Sequence, residues 1–114
     1  MDRTESSDAV EVLREDFRRN LEIFYARLKL APPYHSVEKA IGHLTTLLKG
    51  VSPADRQRVA RDPALQWTYY QRAFAESGLN QKHRGPILGL VRTGRPPDLP
   101  PEHDHFLKTF LAQA

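Results

Sequence analysis

Between residues 10 and 28 an apolar side chain returns every third or fourth position: Val10, Leu13, Phe17, Leu21, Phe24 and Leu28. That spacing predicts one long amphipathic helix, from about Ser7 to Leu30. Ser7 or Asp8 is placed to cap it, Glu11 completes a capping box with Asp8, and Glu15 precedes Arg19 by one turn. Residues 1–6 are expected to fray. Ala31-Pro32-Pro33 stops the helix, since proline lacks the donor and pushes its predecessor out of the helical region. Ile23, Tyr25 and Leu30 lie off the stripe, which suggests a face available to a second copy of the chain.

A second helix is expected from Ser36 to Gly50, on Val37, Ile41, Leu44, Leu48 and Val51. Lys49 complements its dipole and Gly50 closes it. Gly42 in its interior suggests a close helix–helix approach. Ser52-Pro53-Ala54-Asp55 combines a cap, a first-position proline and a first-turn carboxylate, so a short helix over 53–61 should follow. The chain then bends at Asp62-Pro63 into residues 63–77, which hold the only tryptophan, two of four tyrosines and one of five phenylalanines. At 100° per residue Leu65, Trp67, Tyr69, Tyr70, Ala73 and Phe74 spread over roughly 200°, wider than the stripe of a surface helix. This aromatic helix should therefore meet neighbours on two sides and sit at the centre. Gly78 suits the left-handed residue that ends it. Gln66 and Ser77 fall inside its apolar arc and need backbone partners at neighbouring helix ends.

Beyond Gly78, Pro86 opens a short fifth helix to about Arg92, with Ile87, Leu88, Leu90 and Val91 facing the core. Residues 94–101, Gly-Arg-Pro-Pro-Asp-Leu-Pro-Pro, should run extended as a connector in polyproline II fashion. A last helix over about 101–112 presents Phe106, Leu107, Phe110 and Leu111. No stretch alternates with period two, so no sheet is expected. The expectation is a single all-α domain over 1–114, of five or six helices.

Charge adds what hydropathy does not show. The net of +3 hides a partition: residues 1–55 carry eight Lys/Arg against nine Asp/Glu, residues 56–95 eight against two, and residues 96–114 one against three. The middle of the chain is a basic block, comprising Arg56, Arg58, Arg61, Arg72, Lys82, Arg84, Arg92 and Arg95. Cysteine is absent, which removes disulfides, thiolate metal sites and cysteine nucleophiles. No apolar run approaches a membrane span and the N-terminus has no secretory h-region, so a cytoplasmic location is expected.

Candidate chemistry is sparse. His103-Asp104-His105 is the most metal-like string, but on a helix the two imidazoles point ~200° apart and the segment is expected to be a wet first turn. His35 and His43 have no partner legible in the sequence. The serines sit at helix ends, and none lies in a nucleophile elbow. The glycines at 85, 89 and 94 do not form a phosphate loop. Residues 86–97 resemble, over about twelve positions, the end of a helix-turn-helix repressor domain, where a recognition helix runs into a Gly-basic-Pro turn. The reading positions there are Leu88 and Gly89, which offer a base edge no hydrogen bond, so no role is carried over.

The expected function is therefore non-enzymatic and without a cofactor or metal. A small accessory or regulatory protein would dock on an acidic protein surface through Arg56, Arg58, Arg61, Lys82, Arg84, Arg92 and Arg95, anchored by exposed tips of Trp67 and Tyr70. Nucleic-acid binding by the same cations is the alternative. A metal-dependent or other enzyme using the histidines is the third reading. A homodimer through the N-terminal helix is a further possibility.

Overall fold

A computed structural model describes residues 2–93 and 99–112, with side chains from Ala9 onward. The described residues form six α-helices and no strand: α1 (Asp2–Arg27), α2 (Tyr34–Lys49), α3 (Pro53–Arg61), α4 (Pro63–Glu76), α5 (Arg84–Arg92) and α6 (Asp104–Ala112). Single 3-10 turns at Leu79–Gln81 and Pro101–His103 precede α5 and α6. The expected all-α fold is what forms, and the stripe Val10, Leu13, Phe17, Leu21, Phe24 and Leu28 is buried along its whole length. The aromatic helix α4 packs on α2, α3 and α6, and α1 packs on α2 and α3. Phe74 stacks on Phe106 (4.7 Å between ring centres) and Phe17 stacks on Tyr70 (5.0 Å), tying the two long apolar faces into one core.

The caps explain the joints. Ser52 accepts the Asp55 amide at 3.2 Å, and Asp62 accepts those of Ala64 and Leu65 at 3.0 and 3.4 Å, with proline at the first position of each helix. Gly78 takes φ +85°, as the end of α4 requires. Gln66 donates to the Ala60 carbonyl at 3.0 Å, at the end of α3, and Ser77 to the Phe74 carbonyl of its own helix at 3.2 Å.

Several expectations are corrected. α1 begins at Asp2 and ends at Arg27, before the prolines act. Its terminator is Lys29 at φ 60°: the Leu30 amide bonds to Tyr25 O and the Lys29 amide to Ala26 O, both at 3.0 Å. This is the paired bonding that usually recruits glycine. α2 starts two residues early, at Tyr34, and Ser36 lies buried in its first turn. A Cβ at Gly42 would meet nothing within 4 Å, so no helix approaches closely there. Arg19 pairs with Asp16 (3.5 Å) and Glu15 with Arg18 (3.9 Å), replacing the expected Glu15–Arg19 pair. Ile23, Tyr25 and Leu30 form no open face: Tyr25 is fully buried, Leu30 packs on the core and Ile23 is half-buried. α5 starts at Arg84, two residues before Pro86, the expected opening. Of the connector, residues 94–98 lie outside the described residues. Pro100 is extended (φ −57°, ψ 144°) and Pro101 already opens the turn before α6. Among the described residues, no helix is long and apolar enough to cross a membrane.

Candidate functional site

The two aromatic anchors expected at the surface are inside. Trp67 is 8% exposed and Tyr70 wholly buried. Tyr70 lies against α1, and its hydroxyl donates to the Asp16 carboxylate at 2.7 Å, with the Leu13 carbonyl 3.4 Å away. Burial, reinforced by the Asp16 carboxylate, pushes this phenol well above its ordinary value, so it stays protonated. The polar handle that made Tyr70 resemble an interface residue is consumed within the fold.

The cations of the basic block do not converge. Arg56 is half-buried; its guanidinium donates to the Val51 carbonyl at 3.3 and 3.1 Å and lines a shallow cavity of about 200 Å³ with Val10, Arg14 and Lys49. Arg58 is exposed and pairs with Asp55 at 3.5 Å, and Arg61 is exposed on the last turn of α3. Lys82 and Arg92 are exposed and Arg84 is half-buried, with Lys82 and Arg84 flanking His83 at the other end of α1. Arg95 lies outside the described residues. Arg56 neighbours Val10 and Arg14 of α1, whereas His83 packs edge-on to Tyr25 (6.1 Å) and its Nε2–H donates to the Ala31 carbonyl at 3.0 Å. At 1.5 Å per residue the two basic groups stand roughly 20 Å apart along α1.

What the fold does bring together is a different set. Residues 23–37 contain no acid and carry Arg27, Lys29 and His35; residues 77–93 contain none either and carry Lys82, His83, Arg84 and Arg92. The His83–Ala31 hydrogen bond joins these two stretches at one pole of the molecule. Glu38, the acid that follows the first stretch, is engaged by Arg18 in a bidentate pair that holds its carboxyl below the usual range. α2 and α5 both begin at this pole, behind Pro33 and His83, and neither has a side-chain cap, so two positive helix ends add to the cations. Lys29 (φ 60°) and His83 (φ 55°) are the described non-glycine residues at positive φ, and both lie here. Tyr34, 68% exposed, stands beside them at the start of α2. Arg27, Lys29, Tyr34 and His35 fall outside the cation-rich block, in a segment whose net charge along the chain is near zero. The legible signal was the lack of acids in 23–37.

A second polar cluster spans α2 and α4. His43 Nε2 lies 2.8 Å from one Glu76 carboxylate oxygen, and the other accepts the Arg72 Nε–H at 3.0 Å. Those two partners hold the Glu76 carboxyl below its usual range. Arg72 and Glu76 edge an open groove of about 300 Å³ between α4 and α6, with Thr68, Lys108 and Thr109. Both threonine hydroxyls donate back to their own helices, to Ala64 O and Phe106 O. The cluster thus orients a histidine but aims it at no nucleophile. His103, expected in a wet turn, is completely buried, and His105 stacks on Trp67 at 5.5 Å. Among the described residues no three His, Asp or Glu side chains gather as a metal-holding group.

No protein-family model, curated protein or solved structure matches this chain.

Proposed function

We propose that this is a cytoplasmic, non-enzymatic accessory or regulatory protein that docks through its basic pole onto an acidic surface of a protein partner. The observation that carries the reading is the meeting of two acid-free stretches at the His83–Ala31 contact. Arg27, Lys29, Lys82 and Arg84 supply the charge, and Tyr34 supplies exposed aromatic area of the kind that anchors interfaces. A protein partner is favoured over nucleic acid by the shape of the charge. The α3 cations lie at the far end beside Asp55 and Glu11, so the described cations of the 56–95 block do not form one continuous track for a phosphate backbone.

The test compares a labelled Glu/Asp-rich peptide with random-sequence DNA at about 50 and 200 mM salt. Wild type and Arg58→Glu/Arg61→Glu should bind the peptide alike, while Lys29→Glu/Lys82→Glu should lose tenfold or more. DNA bound more tightly than the peptide, with a steep salt dependence, would transfer the reading to nucleic acid. Equal loss in both variants would show that net charge, and not the pole, is what binds.

A further inference from the structure

The turn Pro101–His103 inserts His103 into an aromatic cage. The imidazole centre lies 5.8 Å from Phe24, 5.8 Å from Trp67 and 5.5 Å from Phe106, so the ring touches α1, α4 and α6 at once. Its Nε2 is 3.1 Å from Asn20 Oδ1. The Asn20 amide nitrogen is already spent on the Asp16 carbonyl at 2.8 Å, so Oδ1 is the acceptor and His103 Nε2 must carry the hydrogen. The neutral ring is therefore fixed as the Nε2–H tautomer, and any further proton must go to Nδ1. That nitrogen is buried and has no hydrogen-bond partner among the described residues. A proton there would create a buried donor without an acceptor, on a cation enclosed by hydrocarbon.

We propose that the C-terminal arm, residues 99–112, is an acid-released latch: protonation of His103 ejects the arm from α1 and α4 while the helices α1 to α4 stay assembled. The packing divides in the way this requires. α1, α2, α3 and α4 are joined by four mutual helix contacts (α1 with α2 and with α3, α4 with α2 and with α3) that do not involve the arm. The arm buries Leu99, His103, Phe106, Leu107 and Phe110, and α6 also packs on α5 and on the turn Leu79–Gln81, where the Asn80 side-chain amide donates to the Thr109 carbonyl at 3.2 Å; the arm is tethered through Pro100 and Pro101, and its release gives up these contacts too.

The charges around His103 set the sense of the response. From α1, Arg27 opposes the proton; from its own turn, Glu102 favours it; and Asp104 and His105 follow at the start of α6. α4 presents Trp67 and the protonated Tyr70, and Asp16 on α1 is occupied by Tyr70 and Arg19. Burial is the largest influence and lowers His103 to about 4. A released His103 returns to about 6.5, so the released state binds more protons between those values. Docking is therefore at full strength above pH 6.5 and is progressively lost as pH falls toward 4. The opening equilibrium should rise about twentyfold between pH 7 and pH 5.

Trp67, the only tryptophan, touches His103 and reports the event directly. Acid titration should give a fluorescence change and binding of an apolar dye, with a midpoint between pH 6.5 and 4, while most far-ultraviolet helical signal persists. His103→Gln, which keeps a donor for Asn20 but cannot titrate, should remove the transition. His105→Ala should keep it, although that ring also stacks on Trp67. In wild type, amides 104–110 should lose hydrogen-exchange protection at pH 5 while those of 40–48 remain slower. The proposal is overturned by a titration with no change above pH 4, by a transition that survives in a folded His103→Gln, or by arm and α2 amides exchanging at one rate. The exchange experiment needs no variant, so a His103→Gln chain that does not fold leaves the test intact.

Discussion

A tyrosine buried between two helices shows how far one side chain can be read. Tyr70 holds α4 to α1 by stacking on Phe17 and donating its hydroxyl to Asp16. Tyr70→Phe keeps the stack and removes the bond. Asp16 is about one-third exposed, so water can replace the lost donor there, and the expected loss is about 1–2 kcal/mol. Urea unfolding should show it as a lower midpoint with an unchanged slope. A loss below about 0.3 kcal/mol would mean that the hydroxyl contributes nothing net and that the stack alone positions α4. From the sequence, Tyr70 and Trp67 were indistinguishable from interface anchors, because a buried aromatic with a polar tip and an exposed one have the same composition. What separates them is Asp16, 54 positions away, and no local pattern announces that pairing. His103 is the same lesson: its partner Asn20 lies 83 positions away.

At the scale of the helix, periodicity was a good guide and punctuation a weaker one. Five of the six helices were visible in the spacing of apolar residues, since burying a stripe is what stabilises them, while α3 was legible from its Ser52-Pro53-Ala54-Asp55 start. The end of α1 was misplaced, because Pro32-Pro33 is a visible stop while the earlier one depends on Lys29 adopting a left-handed conformation that sequence does not mark. Lys29 sits where glycine is at ease, and Gly42 sits in the middle of α2 with open space where a Cβ would go. Lys29→Gly should stabilise by about 1 kcal/mol by removing left-handed strain. Gly42→Ala should add about 0.5–1 kcal/mol by restricting the unfolded chain. Each should raise the melting temperature by a few degrees. A drop at Lys29→Gly would show that this side chain holds the corner through contacts stronger than the strain. Because Lys29 belongs to the basic pole, its glycine variant should also bind an acidic peptide less well while being more stable.

Folding redistributed the charge at the scale of the whole molecule. Counting along the chain gives one basic block over 56–95, but α3 and α5 are carried to opposite ends of α1, and the α1–α2 corner supplies cations that the count assigned to a neutral segment. Charge clustering in three dimensions depends on which loops meet, and the sequence does not record that. If the pole is kept for binding, it should be a place where the isolated fold is less stable than it need be. Lys82 is exposed among like charges and beside two uncapped helix starts, so Lys82→Glu should stabilise the chain by a few tenths of a kcal/mol (~0.5) at low ionic strength. The gain should vanish near 1 M salt, where the screening length falls to about 3 Å. Arg58→Glu, which breaks the pair with Asp55 on α3, should give no such gain. Thermal melts of both variants across a salt series make the comparison. If Lys82→Glu melts at or below wild type at low salt, the pole is already compensated, and the case for an acidic partner there loses its physical basis. A salt-sensitive gain at Lys82 alone, accompanied by lost peptide binding, is the trade-off between stability and recognition that a docking surface carries.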